Sequence, residues 1–261
     1  MPAISVAQQA LIKERFLISL RHHLAGLLAK VENDFSKANF EKELASLQND
    51  PVYSKFAFNS PEYVLVRLVG RVSISVGRRL GEIYDKIPRY VAAARFGLRP
   101  EQVAPLLQKL ELDIALRFGL LSRHDVKGIQ NVVRQYLNVD CGDNGLGVEI
   151  RYNFNPNDSA RLRKDVVMAG LVQAENLLPI YLIYSAISPR DEAIARLKRA
   201  GWTFLVGERA IGFSRELFGL DLESILDEPA IAAEVKREIG AIMTAMVGSH
   251  AFQHVVSRHG R

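Results

Sequence analysis

The 261-residue chain is 48% hydrophobic and 24% charged, the balance of a globular protein and not of a disordered one. No apolar run reaches the roughly 20 residues that a membrane span needs, and Cys141 is the sole cysteine, so an internal disulfide is excluded. A net charge of +5 favours polyanionic partners, because each neutralised phosphate releases condensed counterions, although a merely basic soluble protein has the same excess. The opening residues bring in charge early and lack the apolar core of a signal peptide, so a cytoplasmic, reducing setting is expected.

Apolar residues recur at helical spacing from Val6 to about Val31, through Leu11, Phe16, Leu20, Leu24 and Leu28. Ser60-Pro61-Glu62 announces a second helix: a capping hydroxyl, a proline at the first helical position and an acid in the first turn. Pro88 predicts its end near Ile87. In Glu111–Phe118 the period changes to two, which predicts a strand with Leu112, Ile114, Leu116 and Phe118 on one face. Glu111, Asp113 and Arg117 occupy the other. A helix over His124–Leu137 and a turn-rich segment at 140–145 lead to a second strand, Val148–Asn153, whose polar face carries Glu149, Arg151 and Asn153. Asn157-Asp158-Ser159 caps a helix reaching about Leu178, and Pro179–Tyr184 is a compact apolar strand. A helix from Ser188 to about Ala200, a strand over Trp202–Val206, and helices over Glu208–Phe218 and Ala230–Val247 complete the chain.

Strands alternating with helices predict an α/β fold, a mixed central sheet flanked by helices with an N-terminal helical layer. The expected organisation is a mainly helical region over 1–105 packed on the core, an α/β core over 106–226, and a C-terminal helix with a basic tail over 227–261.

Asp113 and Glu149 each sit between apolar neighbours, as a carboxylate does when a buried strand projects it into a site. Convergent carboxylates suit magnesium, which takes hard oxygen ligands and accepts phosphate oxygens in its remaining positions. The plainer reading is a pair of solvated acids on half-exposed strands. Asp140 or Asp143 is the substitute first ligand, in surroundings that suit a solvated loop.

Basic residues cluster over 67–99, where Arg67, Arg71, Arg78, Arg79, Lys86, Arg89, Arg95 and Arg99 face only Glu82 and Asp85. A second group, Arg161, Arg163 and Lys164, follows Asn153, Asn155 and Asn157. Arginine and asparagine grip phosphates and read guanine and adenine edges, while the bland alternative is a solvated helix face. His22-His23 is adjacent and does not converge on one metal; His250 and His254 have metal-compatible spacing, with a basic tail as the simpler account. Phosphate-loop, dinucleotide-glycine and nucleophile-elbow motifs are absent.

With Leu112-Asp113-Ile114 on one strand and Val148-Glu149-Ile150-Arg151 on the next, the stretch from about Ser60 to Leu226 resembles the core of the PD-(D/E)xK nucleases, in particular type II restriction endonucleases. The resemblance implies a restriction-endonuclease-like sheet in which Asp113 and Glu149 bind Mg2+, with Glu82 on the earlier helix as a further ligand. An ion pair of Glu82 with Arg78 or Lys86 is the competing account. Arg151 stands where the family carries lysine, and Lys164 is the other candidate for that role. Arginine holds its charge and can stabilise a phosphate but is a poor proton acceptor. The expected activity is site-specific hydrolysis of double-stranded DNA by a homodimer, with Arg71, Arg78, Arg79, Asn153, Asn155, Asn157, Arg161 and Arg163 contacting the duplex. A cognate DNA methyltransferase is implied by the resemblance alone. The alternatives are a non-catalytic nucleic-acid-binding protein on a degenerate nuclease scaffold, and a helical interaction module with a small α/β core.

Overall fold

The computed structural model describes residues 5–141, 144–152, 159–185, 191–219 and 229–259, without the side chains of 78–85, 159 and 259. Helix α1 (Val6–Asp34) is followed by α2 (Lys37–Asn49) and the short α3 (Pro51–Lys55). Ser36 caps α2 by accepting from the Asn39 N–H, and Asp50 caps α3 by accepting from Val52 and Tyr53. Helix α4 spans Pro61–Phe96. Its expected stop at Pro88 is overturned: the proline lies inside the helix. Proline forfeits one hydrogen bond and crowds the preceding turn, but Ile87, Val91 and Ala92 continue a buried apolar stripe across it. Burying each large apolar side chain is worth about 1.5–3 kcal/mol, enough together to offset a proline cost of about 3 kcal/mol.

Helix α5 (Pro100–Val103) leads into a hairpin of β1 (Leu106–Leu107) and β2 (Leu110–Glu111), turned by Gln108 and Lys109 at positive φ. The main sheet holds β3 (Ile114–Arg117), β4 (Gly145–Arg151), β5 (Leu178–Ile183) and β6 (Thr203–Val206) in that spatial order. β3 runs antiparallel to β4, and β4, β5 and β6 are parallel. Between the strands come α6 (Arg123–Leu137), α7 (Ser159–Ala174) and α8 (Asp191–Arg199), and α9 (Glu208–Phe218) follows β6. Helices α10 (Pro229–Gly248) and α11 (His250–His259) close the described chain. The expected mixed sheet, its flanking helices and the N-terminal helical region are all present.

The register settles which side chains share a face. Ala115 pairs with Gly147, Glu149 with Tyr181, and Arg151 with Ile183, so these six residues point to one side of the sheet. Helices α7 and α8 cover that side, where Met168, Ala169, Val172, Ala193 and Leu197 join one apolar cluster with Ala115, Tyr181 and Ile183. The opposite face carries Ile114, Leu116, Leu146, Val148, Ile180 and Leu182, all buried. There a buried hydroxyl pair, Tyr184 with Ser214 at 3.0 Å, ties the end of β5 to α9. Both faces being covered explains why β4 is buried along its whole length.

The chain forms two compact units, one from residues 1–16 and 81–226 and the other from 17–80 and 227–261. The first contains the sheet. The second is helical, and Leu27, Val31, Phe35, Phe40, Leu47, Val64 and Leu68 share its core with Ile242, Met246, Ala251 and Val255. Among the described residues no helix is long and apolar enough to cross a membrane.

Gly147 sets how closely α7 approaches the sheet. A Cβ there would stand 2.4 Å from Val172 Cγ1. Gly147→Ala is expected to destabilise the protein by about 1–3 kcal/mol through overpacking, read as a lower urea midpoint, with Val172→Ala in the same chain recovering much of the loss.

Candidate functional site

Asp113 lies just before β3, and Glu149 and Arg151 lie at the end of β4. Because β3 is antiparallel to β4, these positions meet at one edge of the sheet, outside the carboxyl ends of the parallel strands. That edge is where open α/β sheets bind ligands. Arg151 is the centre of the cluster. Its Nη1 donates to Asp113 Oδ2 at 3.1 Å and to the Ile150 carbonyl at 2.6 Å. Its Nη2 donates to Glu149 Oε1 at 2.5 Å and to Asp165 Oδ1, from α7, at 3.0 Å. The five-donor guanidinium serves the three carboxylates and a backbone carbonyl at once.

Each acid has its own support. Asp113 Oδ2 also accepts the Ile150 N–H at 2.8 Å, while Oδ1 accepts from Arg89 of α4, which pairs as well with Glu111. Asp165 Oδ2 accepts the Tyr181 hydroxyl at 2.7 Å, and the Asp165 carbonyl accepts the Trp202 indole N–H at 2.7 Å. The Tyr181 ring packs against Trp202 and Phe204, with the Arg151 guanidinium carbon 5.6 Å from its centroid. Glu149 is 1% exposed, Asp165 1%, Asp113 4% and Arg151 5%. Asp113, Glu149 and Arg151 are therefore part of a buried ionic network, while Glu111 and Arg117 of the same polar faces stay partly exposed.

Three buried carboxylates face two guanidinium groups, Arg151 and the partly buried Arg89. One carboxylate is left over, and Glu149 is the acid whose hold on a proton rises. Burial, the neighbouring Asp113 and, more weakly, Asp165 raise its carboxyl pKa to about 8 against the opposing pull of Arg151. Burial works against charge on Arg151, but Glu149, Tyr181, Asp113 and Asp165 together hold it more firmly protonated than usual. Burial also pushes the Tyr181 phenol up, so it stays a hydrogen-bond donor to Asp165.

Of the residues singled out in the sequence, Asp113, Glu149 and Arg151 are brought together. Lys164 is half-buried on α7, one residue from Asp165, and it is Asp165 that meets Arg151. Arg161 and Arg163 are exposed on the first turns of α7. Arg71 belongs to the helical unit and pairs with Glu43 at 2.7 Å. The side chains of Glu82, Arg78 and Arg79, and the whole of Asn153, Asn155 and Asn157, lie outside the described residues. Asp140 is exposed, pairs with Arg134 at 2.8 Å, and lines an open hollow of about 500 Å³ with Cys141 and Asn144 at the other edge of the sheet. Asp143 lies outside the described residues. His250 and His254 flank Phe40, with ring centroids 5.6 Å apart.

Asp165 and Tyr181 are the functional candidates that sequence reasoning missed, and the place of Arg89 at the acid cluster was missed with them. Asp165 carried a signal, since it precedes Met168, Ala169 and Val172 at helical spacing and all three are fully buried. Arg89 stands in the basic cluster over 67–99, but nothing in the sequence marks it as the partner of Asp113.

The fit to a divalent cation can be tested on one atom. Glu149 Oε2 is buried and has no hydrogen-bond partner, as a carboxylate oxygen reserved for a cation would be. Among the described residues no group of three or more His, Cys, Asp or Glu is arranged to hold a metal ion. The protein would thus offer two carboxylates, Asp113 and Glu149, which suffices for a magnesium ion completed by water and phosphate oxygens.

Two outcomes follow from the network. Between pH 4.5, where a free glutamate titrates, and about 8 the folded chain keeps a proton on Glu149 that the unfolded chain releases. Stability is expected to fall as pH rises through this window, and Glu149→Gln to flatten that slope, both read from denaturant midpoints against pH. Tyr181→Phe strips Asp165 of one donor and is expected to cost about 1–3 kcal/mol in the same melts. No family model, curated protein or solved structure matches this chain.

Proposed function

We propose that the chain is a divalent-metal-dependent endonuclease that hydrolyses phosphodiester bonds of double-stranded DNA at specific sites, in the manner of type II restriction enzymes. The observation that carries the reading is the convergence of Asp113 and Glu149, from neighbouring strands, with Arg151 at one sheet edge and an open oxygen on Glu149. The order of those residues is the one that the PD-(D/E)xK resemblance implies. In this reading Asp113 and Glu149 hold Mg2+, which when bound lowers the pKa of a water and offsets charge on the scissile phosphate.

The chain's own groups do the rest. Arg151 stays charged throughout, so it steadies negative charge near the scissile phosphate and takes no proton from the attacking water. Asp165 and Tyr181 hold that guanidinium at the sheet edge. Burial of the cluster lowers the local dielectric and strengthens each of these contacts. Exposed Arg161 and Arg163, at the start of α7 next to this edge, are suited to the flanking phosphates. Cutting both strands of a palindromic site calls for two copies related by a two-fold axis.

A second reading is favoured by one observation: both oxygens of Asp113 already accept from guanidinium groups. On that reading the arginines replace the metal, and the protein binds nucleic acid without cutting it. Purified protein incubated with mixed plasmid and phage DNA, in magnesium or in EDTA, separates the two. Discrete fragments that need magnesium, and that fall at least about 100-fold in Asp113→Ala and Glu149→Ala, are expected. Binding that weakens steeply with salt but never leads to cleavage is the outcome of the second reading.

A further inference from the structure

We propose that Arg151 is a built-in cation that competes with a divalent metal ion for Asp113 and Glu149, and that Asp165 keeps hold of its guanidinium when the metal ion takes its place. The inference rests on the reading of Asp113 and Glu149 as metal ligands and adds a control on when they bind one.

The geometry is that of a stand-in. Nη1 lies 3.1 Å from Asp113 Oδ2 and Nη2 lies 2.5 Å from Glu149 Oε1, so one guanidinium spans the two acids that would hold a metal ion. Asp165 is arranged differently. It meets Arg151 through Oδ1 at 3.0 Å, and its remaining support comes from Tyr181 and Trp202, not from Asp113 or Glu149. Its position is thus fixed whether or not Arg151 leaves the other two acids. The Arg151 side chain also lies against the Tyr181 ring, a surface on which a guanidinium can pivot without losing its aromatic contact. Giving up Asp113 and Glu149 therefore leaves Arg151 with a buried counter-ion, which avoids the several kcal/mol cost of an unpaired charge in the interior. A lysine at this place would bring three donors from one nitrogen, without the spread of a guanidinium whose two terminal nitrogens each meet different acids.

The competition has a sign that a purely structural or purely catalytic arginine would not give. Removing Arg151 should tighten metal binding, and removing the charge of Asp165 should weaken it. The probe is Mn2+ titrated by calorimetry, at fixed pH and ionic strength, into the wild type, Arg151→Met, Asp165→Asn and Arg117→Met. Arg117 sits at the far end of β3 in a half-exposed pair with Glu175, so its variant controls for the loss of a positive charge as such. Mn2+ is expected to bind Arg151→Met at least about ten-fold more tightly than the wild type, a change of about 1.4 kcal/mol or more. It should bind Asp165→Asn several-fold more weakly and Arg117→Met unchanged. If Arg151→Met is unfolded without metal, refolding by Mn2+ but not by sodium chloride of equal ionic strength supports the proposal. If Mn2+ does not refold it, Asp165→Asn decides.

An affinity of folded Arg151→Met no higher than wild type, or of Asp165→Asn no lower, overturns the competition. Wild-type cleavage of DNA alongside such unchanged affinities sinks this inference and leaves the nuclease reading standing. Tightened Mn2+ binding by Arg151→Met, with no cleavage by the wild type under any metal, does the reverse.

Discussion

The site depends on one guanidinium. Three carboxylates within a few ångströms of one another in a protein interior repel strongly, and each has lost the water that would otherwise screen it. Arg151 makes their assembly possible by donating to all three. The elements around it follow from that need. β3 and β4 run antiparallel so that Asp113 and Glu149 reach the same edge, and Gly147 lets α7 lie close enough to the sheet for Asp165 to reach Arg151. α4 runs on past Pro88 and so carries Arg89 to the outer oxygen of Asp113.

A buried ionic cluster of this kind is a poor source of stability compared with an apolar core of the same volume, because desolvation consumes most of the Coulomb attraction. The fold rests on its apolar layers. Met168, Ala169, Val172, Leu197 and Trp202 on one side of the sheet, and the buried aliphatic face of β3, β4 and β5 on the other, hold the strands in register. Burial and Asp113 raise the Glu149 carboxyl within that frame, and the apolar layers offset the cost of keeping it there.

Much of this was legible in the sequence. Alternation in Glu111–Phe118 and Val148–Asn153 pointed to strands that the fold realises as Ile114–Arg117 and Gly145–Arg151, with Glu111 in a separate hairpin and Phe118 past the strand end. The same alternation put Asp113, Glu149 and Arg151 on one side, because side chains of a strand alternate where the ladder is regular. It did not say that this side is covered. Burial of a polar face depends on which helix packs there, and that is fixed by contacts between residues far apart in the chain. Asp165 shows the limit. Its spacing before Met168 marks it as inward-facing, but only the fold says that it faces an arginine. Pro88 misled for a local reason: its cost is a property of one turn, whereas the gain from Ile87, Val91 and Ala92 is collected from their surroundings. The sharing of a core by 17–80 and 227–261 has no local signature, since Phe40 and Ile242 are ordinary apolar helix positions until they are brought together.

That discontinuity bears on how the protein is made. Emerging from the ribosome in chain order, the helices over 17–80 appear early but lack the residues that complete their core, Ile242, Met246, Ala251 and Val255. The sheet-bearing unit has all its residues once position 226 is out, so the arginine and its acids can close while the earlier helices still await their final partners. Synthesis therefore imposes an order in which the segment translated early is the one left exposed longest, and a nascent-chain chaperone would find its apolar target there and not in the sheet.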